Sequence, residues 1–153
     1  MFPSPRFLVA AAAIAIPTMA GAQVALQSDV KVEKTVTVAG KTQVVLQPPA
    51  TVVPGDKLVF RTGYKNGGAT PATRFVVTNP VPAAVAWTGD SSANVEASVD
   101  GGRSFGALPS LKVKGANGQP RAAAPADVTH LRWTLASIAP GGTGQLSYRG
   151  VVR

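Results

Sequence analysis

Apolar and polar residues alternate one by one through most of this chain, and this alternation constrains the fold more than any other feature of the sequence. Successive side chains of a strand point to opposite faces of a sheet, so a period of two predicts strands with one buried and one wetted face. The alternating runs cover residues 30–38, 57–65, 73–78, 95–100, 130–135 and 145–152. No helical period of similar strength follows the N-terminal apolar segment. We therefore expect an all-β protein with antiparallel strands.

Turn-forming residues separate these runs, which predicts two sheets packed face to face as a β-sandwich. The 16 glycines and 13 prolines suit a loop-rich β-domain better than a helical one. The bulk between the sheets is expected from six aromatic residues, which are Phe60, Tyr64, Phe75, Trp87, Trp133 and Tyr148.

The N-terminus has the features of a secretory signal. Residues 7–16 are apolar without interruption, follow Arg6, and are too few to span a bilayer. The stretch Ala20-Gly21-Ala22 fits the small-x-small rule for signal peptidase, with cleavage before Gln23. We expect a signal peptide over residues 1–22, a single domain over residues 23–153, and export to the periplasm or cell surface. A retained N-terminal anchor is the alternative.

The chain contains no cysteine, although its predicted destination is oxidising. Neither a lipobox cysteine nor a disulfide is therefore available, and the stability must come from a packed core. No second apolar stretch approaches spanning length, so we expect no transmembrane segment after signal cleavage.

Four segments carry loop or turn signals. Pro54-Gly55-Asp56 predicts a tight turn, Asn66-Gly67-Gly68 is the strongest hairpin signal, and Asp100-Gly101-Gly102 is the next. Residues 115–127 have no periodicity and predict a long mobile loop open to proteolysis.

Lys34 interrupts the apolar side of the first alternating run. An inward-pointing charge is one way in which proteins prevent sheet edges from pairing with other chains. We therefore interpret residues 29–38 as an edge strand, with a bulge or a change of sheet near Lys34.

The stretch "VVPGDKLVFRTGYKNGGATPATRFVVTNPVP" resembles the conserved repeat domain DUF11 of bacterial and archaeal surface proteins. That family runs as a Pro-Gly-Asp turn, a strand, an Asn-x-Gly turn, a strand and an Asp-x-Leu-Pro corner. Residues 54–56, 66–68 and 79–82 occupy these places in order, and "LRWTL" followed by "IAPGGTGQLSYRGVV" resembles the family's closing strands. The resemblance covers about residues 50–153. It implies an immunoglobulin-like sandwich at the cell envelope, with no catalytic activity and no general ligand.

Two features depart from that family. Asn79 of the corner "NPVP", which ends at Pro82, stands where aspartate is usual, and there is one copy of a domain that often occurs in tandem. The single copy argues against a stalk built of many repeats.

The stretch "SVDGGRSF" fits the Asp-box pattern familiar from sialidase propellers, with Ser98, Asp100, Gly102, Ser104 and Phe105 at its fixed positions. In that motif the aspartate closes a turn onto backbone amides and the aromatic residue packs beneath it. A propeller needs several copies, so we interpret this one as a structural turn.

The residues able to do chemistry are few. His130 is the single histidine, and its place in the alternation puts it on a wetted face beside Arg132, without the partners of a triad or a zinc site. The seven carboxylates have no spacing suited to acid–base catalysis, although Asp90, Asp100 or Asp127 could contribute to a calcium site. We predict no catalytic residue, no cofactor and no metal.

A basic face is the one feature that suggests binding. The full chain carries a formal net charge of +8. The outward side of several strands carries six basic residues, which are Lys57, Arg61, Lys65, Arg74, Arg132 and Arg149. If the sheets bring them together, they would attract anionic envelope polymers or lipid headgroups; otherwise they form a solvated surface. No aromatic residues are interleaved with the charges, so nucleic acid is not expected.

Three functions remain as hypotheses. The first is an exported, non-enzymatic structural or interaction module of the cell envelope, engaging an unknown envelope protein by a loop end or an edge strand. The second is a fimbrial-type subunit that donates its N-terminal strand to a neighbouring subunit. Lys34 argues against it, because it interrupts the apolar side of that strand. The third is a binder of anionic surface polymers through the basic face.

Overall fold

The computed structural model describes residues 21–153 and shows an all-β protein. Within these residues there is no α-helix, and two short 3-10 helices cover Leu108–Ser110 and Pro125–Asp127. The strands are β1 (Val24–Val38), β2 (Lys41–Gln47), β3 (Lys57–Asn66), β4 (Ala72–Pro80), β5 (Val85–Ser91), β6 (Val95–Ser98), β7 (Lys112–Lys114), β8 (Pro120–Ala122), β9 (His130–Ile138) and β10 (Thr143–Val152). The signal predicted over residues 1–22 lies almost wholly outside the described residues.

The strands form antiparallel sheets, as the alternation predicted. The large sheet has the order β2-β1-β3-β10-β5, and the small sheet has the order β4-β9-β6. Strands β7 and β8 form a separate two-stranded ribbon. Each alternating run of the sequence contributes a strand, because one face of each is apolar and can be buried.

The two larger sheets share one hydrophobic core, as expected for a sandwich. Val32, Leu58 and Tyr148 of the large sheet belong to the same buried cluster as Leu131 and Trp133 of the small sheet. Of the six aromatic residues predicted to fill it, Trp87, Trp133 and Tyr148 are buried, and the other three pack against it partly exposed. The rings of Phe60 and Tyr148 stack with centroids 4.5 Å apart.

The prediction of an edge strand over residues 29–38 holds for part of that range. Strand β1 pairs with β3 over residues 24–33 and with β2 over residues 32–38, so it has neighbours on both sides only at Val32 and Glu33. Strand β2 forms one edge of the large sheet, and it was not predicted because Val44, Val45 and Leu46 break the alternation. The turn before it, Ala39-Gly40, has φ values of 50° and 75° and joins the strands in two residues, a geometry usually marked by Asn-Gly.

Lys34 also has a different role from the one predicted. Its ammonium lies 3.0 Å from the Asp56 carboxylate, so its charge is paired rather than left to repel a neighbouring chain. The register of β1 and β2 is continuous past this residue, without a bulge.

The hairpin predicted at Asn66-Gly67-Gly68 is a corner between the two sheets. Strand β3 ends at Asn66 in the large sheet, and β4 begins at Ala72 in the small one. Neither glycine has positive φ. A Cβ on Gly68 would lie 2.4 Å from the carbonyl oxygen of Gly21, so the residue is small because another backbone passes close by.

Residues 115–127, predicted to form a long mobile loop, contain a strand and a 3-10 helix, and their mobility stays a prediction. Pro120–Ala122 pairs with Lys112–Lys114, and a 3-10 helix follows. Two hydrogen bonds of 2.7 Å join the Arg121 guanidinium to the Asp127 carboxylate. This ion pair, with the Ala124 amide, lowers the pKa of Asp127 to about 2. Polar contacts therefore join the two ends of a segment that lacks an alternating pattern.

Candidate functional site

The six predicted basic residues are divided between two surfaces. Lys57, Arg61 and Lys65 lie on the outward face of β3, and Arg149 lies beside them on β10, opposite Val59. Arg74 and Arg132 belong to the small sheet, on the other side of the core. The structure therefore gathers four of the six and leaves two apart.

Carboxylates neutralise two of the four gathered charges. Arg61 donates from Nε to Asp29 Oδ1 at 2.9 Å, and a second bond joins the same two side chains. Arg149 contacts Glu33 at 2.8 Å and Asp90 at 2.5 Å. The hydrogen bond that Arg61 donates lowers the pKa of Asp29, and the hydrogen bonds that Arg149 donates to Glu33 and Asp90 raise the pKa of Arg149. The outward face is thus a mixed network of both signs rather than a uniformly positive patch.

The two basic residues of the small sheet have their own surroundings. Arg132 binds Glu96 at 2.9 Å, and its guanidinium carbon lies 4.1 Å from the centre of the Phe105 ring. Arg74 is exposed and has a φ of 52°, an unusual value for a non-glycine residue inside a strand. Neither residue joins the network on the large sheet.

The Asp-box stretch forms a tight turn built around Asp100. Its carboxylate accepts the amides of Arg103 and Ser104, each at 3.0 Å, and the hydroxyls of Ser98 and Ser104 at 2.7 and 2.6 Å. The Ser104 hydroxyl contributes most to holding the pKa of Asp100 far below its usual range. All these partners lie within the turn, so the carboxylate stabilises the turn itself.

The remaining predicted turn residues also hold backbone in place. Gly55 has a φ of 94°, and Asp56 accepts the Val53 amide at 3.0 Å while it pairs with Lys34. The side chain of Asn79 donates to Thr62 Oγ1 at 2.9 Å and thereby links the two sheets. Pro82 accepts a hydrogen bond from the Val85 amide at 2.8 Å where the chain enters β5.

His130 is half-buried rather than fully exposed. Its ring packs 3.4–3.5 Å from the position that a Cβ on Gly102 would occupy, and Nδ1 lies 3.2 Å from the Thr129 hydroxyl. In residues 21–153 no group of three or more histidine or acidic side chains is placed to hold a metal ion. None of the helices described is long and apolar enough to cross a membrane.

A cleft of about 280 Å³ opens between the sheets where β1 faces the end of β4. Its walls are mainly apolar, from Val30, Phe60, Pro80, Pro82 and Tyr148. The polar groups around it bond to one another: Thr62 contacts Ser28 and Asn79, and the Tyr148 hydroxyl donates to the carbonyl of Pro80 at 2.9 Å. Burial raises the pKa of Tyr148 above its ordinary value.

The surface that sequence reasoning missed is the outer edge of β2, which we call the β2 edge and define as residues Lys41–Gln47. Val44 is 63% exposed and Leu46 is 45% exposed, and both lie on the outward face of the sheet. Val38, at the tip of the same hairpin, is 55% exposed. A scan for short apolar runs without proline or glycine would have found this strand.

Comparison with protein-family models, with curated proteins and with solved structures finds no match to this chain.

Proposed function

We propose that this chain is an exported, non-enzymatic module of the bacterial cell envelope, with an immunoglobulin-like sandwich that engages another protein through the β2 edge. The β2 edge carries the proposal. It is one of the two outermost strands of the large sheet, and within residues 21–153 no strand covers its outer side, next to the exposed side chains of Val44 and Leu46. Addition of a strand to such an edge is a common mode of protein recognition.

Several features support the non-enzymatic part of the proposal. The most strongly bonded carboxylate, Asp100, is directed at its own turn, and His130 contacts Thr129 rather than a carboxylate. The antiparallel sheets and their shared core support the immunoglobulin-like part, as does the resemblance to DUF11 over about residues 50–153. The apolar run over residues 7–16 with the Ala20-Gly21-Ala22 site supports export.

The two other hypotheses have less support. Binding of anionic polymers needs free positive charge, whereas Arg61 and Arg149 are bound to carboxylates. Donation of the N-terminal strand to a neighbouring subunit would first remove residues 24–33 from their ladder with β3.

Export is tested by fusing alkaline phosphatase, which is active only outside the cytoplasm, to residue 153 of the full chain in a bacterial host. We expect phosphatase activity and a processed N-terminus at Gln23. A fusion with residues 1–22 deleted is the control and should be inactive. An inactive full-length fusion would contradict the envelope assignment.

Use of the β2 edge is tested in the bacterium that produces the protein, with a photo-reactive amino acid at Val44 or at Val76. Val76 is the matched control, because it is 50% exposed on strand β4 of the small sheet. We expect a protein adduct at position 44 that is absent at position 76. No adduct at 44, or equal adducts at both positions, would contradict the proposal.

A further inference from the structure

Strand β2 is an uninterrupted edge. All seven of its residues pair in continuous register with β1, from Lys41 opposite Val38 to Gln47 opposite Val32. No backbone hydrogen bond reaches its outer side from the rest of the described chain. It contains no proline, no glycine and no residue with positive φ. Free edges of this kind are prone to pair with another strand.

The other edges carry features that oppose pairing. Strand β4 contains Arg74 at a φ of 52° and ends at Pro80. Strand β5 contains Gly89 at a φ of 89° and has an irregular register with β10. Strand β6 has four residues. The half of β1 that β2 leaves uncovered carries two charged residues, Asp29 and Lys31. Residues 34–38 of β1 extend past the end of β3, are also unpaired on that side, and begin with Lys34. The β2 edge is longer than this stretch, and it lacks the positive φ, proline, glycine and irregular register found in β4 and β5.

The strand is also complementary to itself. Antiparallel pairing of two copies over their full length places Val44 on the two-fold axis, opposite Val44 of the second copy. Thr42 then faces Leu46, Gln43 faces Val45, and Lys41 faces Gln47. The single charge of the strand therefore meets a neutral amide, although the chain as a whole has a formal net charge of +8. Like charges directly opposite each other would oppose pairing, and this register avoids them.

We propose that the β2 edge is a homodimer interface, in which β2 of one copy pairs antiparallel with β2 of a second copy about Val44. The two five-stranded sheets then become one continuous ten-stranded sheet. The exposed side chains of Val44 and Leu46 come together on its outward face, which removes apolar surface from water. This inference rests on the proposed function for the use of the edge, and it adds the identity of the occupant.

The register is tested by disulfide formation in a chain that has no cysteine of its own. Residues directly opposite in antiparallel strands have Cα atoms about 4.5–5.5 Å apart, within the range that a disulfide requires. We expect Val44→Cys in residues 23–153 to form a covalent dimer under mild oxidation. Val76→Cys, at a position of β4 that is 50% exposed, and Thr42→Cys, which faces Leu46, are the controls and should stay monomeric. Equal cross-linking of all three variants, or none at Val44→Cys, would overturn the proposal.

Sedimentation equilibrium tests for the dimer without a covalent cross-link. We expect the parent chain to dimerise, and Val44→Lys to raise the dissociation constant about tenfold or more, because two like charges would meet on the axis. Val44→Glu alone should do the same, and an equal mixture of the two variants should restore dimers. Val76→Lys should dimerise like the parent. A parent chain that stays monomeric, or a mixture that fails to recover, would overturn self-pairing.

The two proposals fail separately. If the chain dimerises about Val44 but is not exported, the homodimer is supported and the envelope role is contradicted. If the chain is exported and forms an adduct with a different protein at Val44, but stays monomeric, the envelope role is supported and the homodimer is contradicted.

Discussion

Asn66 and Ile138 join the ends of the two sheets through one hydrogen bond, in which Asn66 Nδ2 donates to the carbonyl oxygen of Ile138 at 2.9 Å. Nδ2 also donates to the carbonyl of Thr70 at 2.8 Å, and Oδ1 accepts the Gly68 amide at 3.0 Å. The residue is completely buried. A single side chain therefore satisfies the backbone where the chain leaves β3 and crosses to the small sheet.

We expect Asn66→Ala to lower the free energy of unfolding by at least about 2 kcal/mol, because buried backbone groups lose their partner. Urea denaturation followed by tryptophan fluorescence measures this. Asn117→Ala is the control: Asn117 is exposed and accepts one amide, from Gln119 at 3.1 Å, so a change below about 1 kcal/mol is expected. Equal losses for the two variants would contradict the role of Asn66.

The same corner shows where sequence reasoning succeeds and where it fails. Asn66-Gly67-Gly68 correctly indicated a change of chain direction, since Asn and Gly are turn residues. It could not indicate that the Asn66 amide is buried against Ile138, which lies 72 positions away. The local sequence predicts a hairpin, whereas Asn66 lies at a crossing between sheets and contacts a residue distant in the sequence.

The basic face shows a similar limit. The alternation placed Lys57, Arg61 and Lys65 on one outward face, because every second side chain of a strand points to the same side of the sheet. The carboxylates that neutralise Arg61 and Arg149 come from β1 and β5, and their proximity depends on strand order. Composition and parity predict which face a charge occupies, whereas its partners follow from the topology.

Strand β2 was missed for a local reason. Its turn uses Ala39, which is rarely found at positive φ, and its consecutive apolar residues conceal a period of two. The candidate interface was thus absent from the prediction although the adjoining strand β1 was present in it.

The Arg121–Asp127 ion pair makes a pH-dependent contribution to stability. Because the pKa of Asp127 falls from 3.8 to about 2 on folding, this contribution is present above pH 4 and is lost as the pH falls from about 4 towards 2. We expect Asp127→Asn to be less stable than the parent at pH 7, with a difference that shrinks over that window. Urea midpoints at a series of pH values measure it.

Arg121→Gln removes the same pair from the other side and is the control for that experiment. Its difference in stability from the parent should also shrink at low pH. The double variant should be little less stable than either single variant. A difference that is constant from pH 7 to pH 2 would show that Asp127 acts without its charge.

Arg74 is held at a φ of 52° inside β4, and this conformation costs a non-glycine residue about 1–2 kcal/mol. We expect Arg74→Gly to be as stable as the parent or more stable by up to about 1 kcal/mol, and Arg74→Val to be less stable, because β-branched residues tolerate this region worst. Thr73→Gly is the control, since Thr73 pairs with Ser137 at ordinary strand φ and glycine there should cost about 0.5–1 kcal/mol. Thermal unfolding compares the stabilities of the three variants. A loss of stability in both glycine variants would contradict the strain at Arg74.

Gly150 allows β10 and β5 to pack closely at the core. A Cβ built there would lie 2.3 Å from Cγ1 of Val85 and 3.2 Å from the carbonyl oxygen of Ala86, and both Val85 and Gly150 are buried. We expect Gly150→Ala to lower the free energy of unfolding by about 1–3 kcal/mol, because the methyl group must displace packed atoms.

Gly63→Ala is the matched control on the neighbouring strand β3, where the nearest atom to a new Cβ, the Gln27 carbonyl oxygen, is 3.7 Å away. That variant should be neutral or slightly stabilising, because alanine loses less backbone entropy than glycine when it folds into a strand. Urea denaturation separates the two, and a Gly150→Ala variant as stable as Gly63→Ala would show that the sheet can relax at this contact.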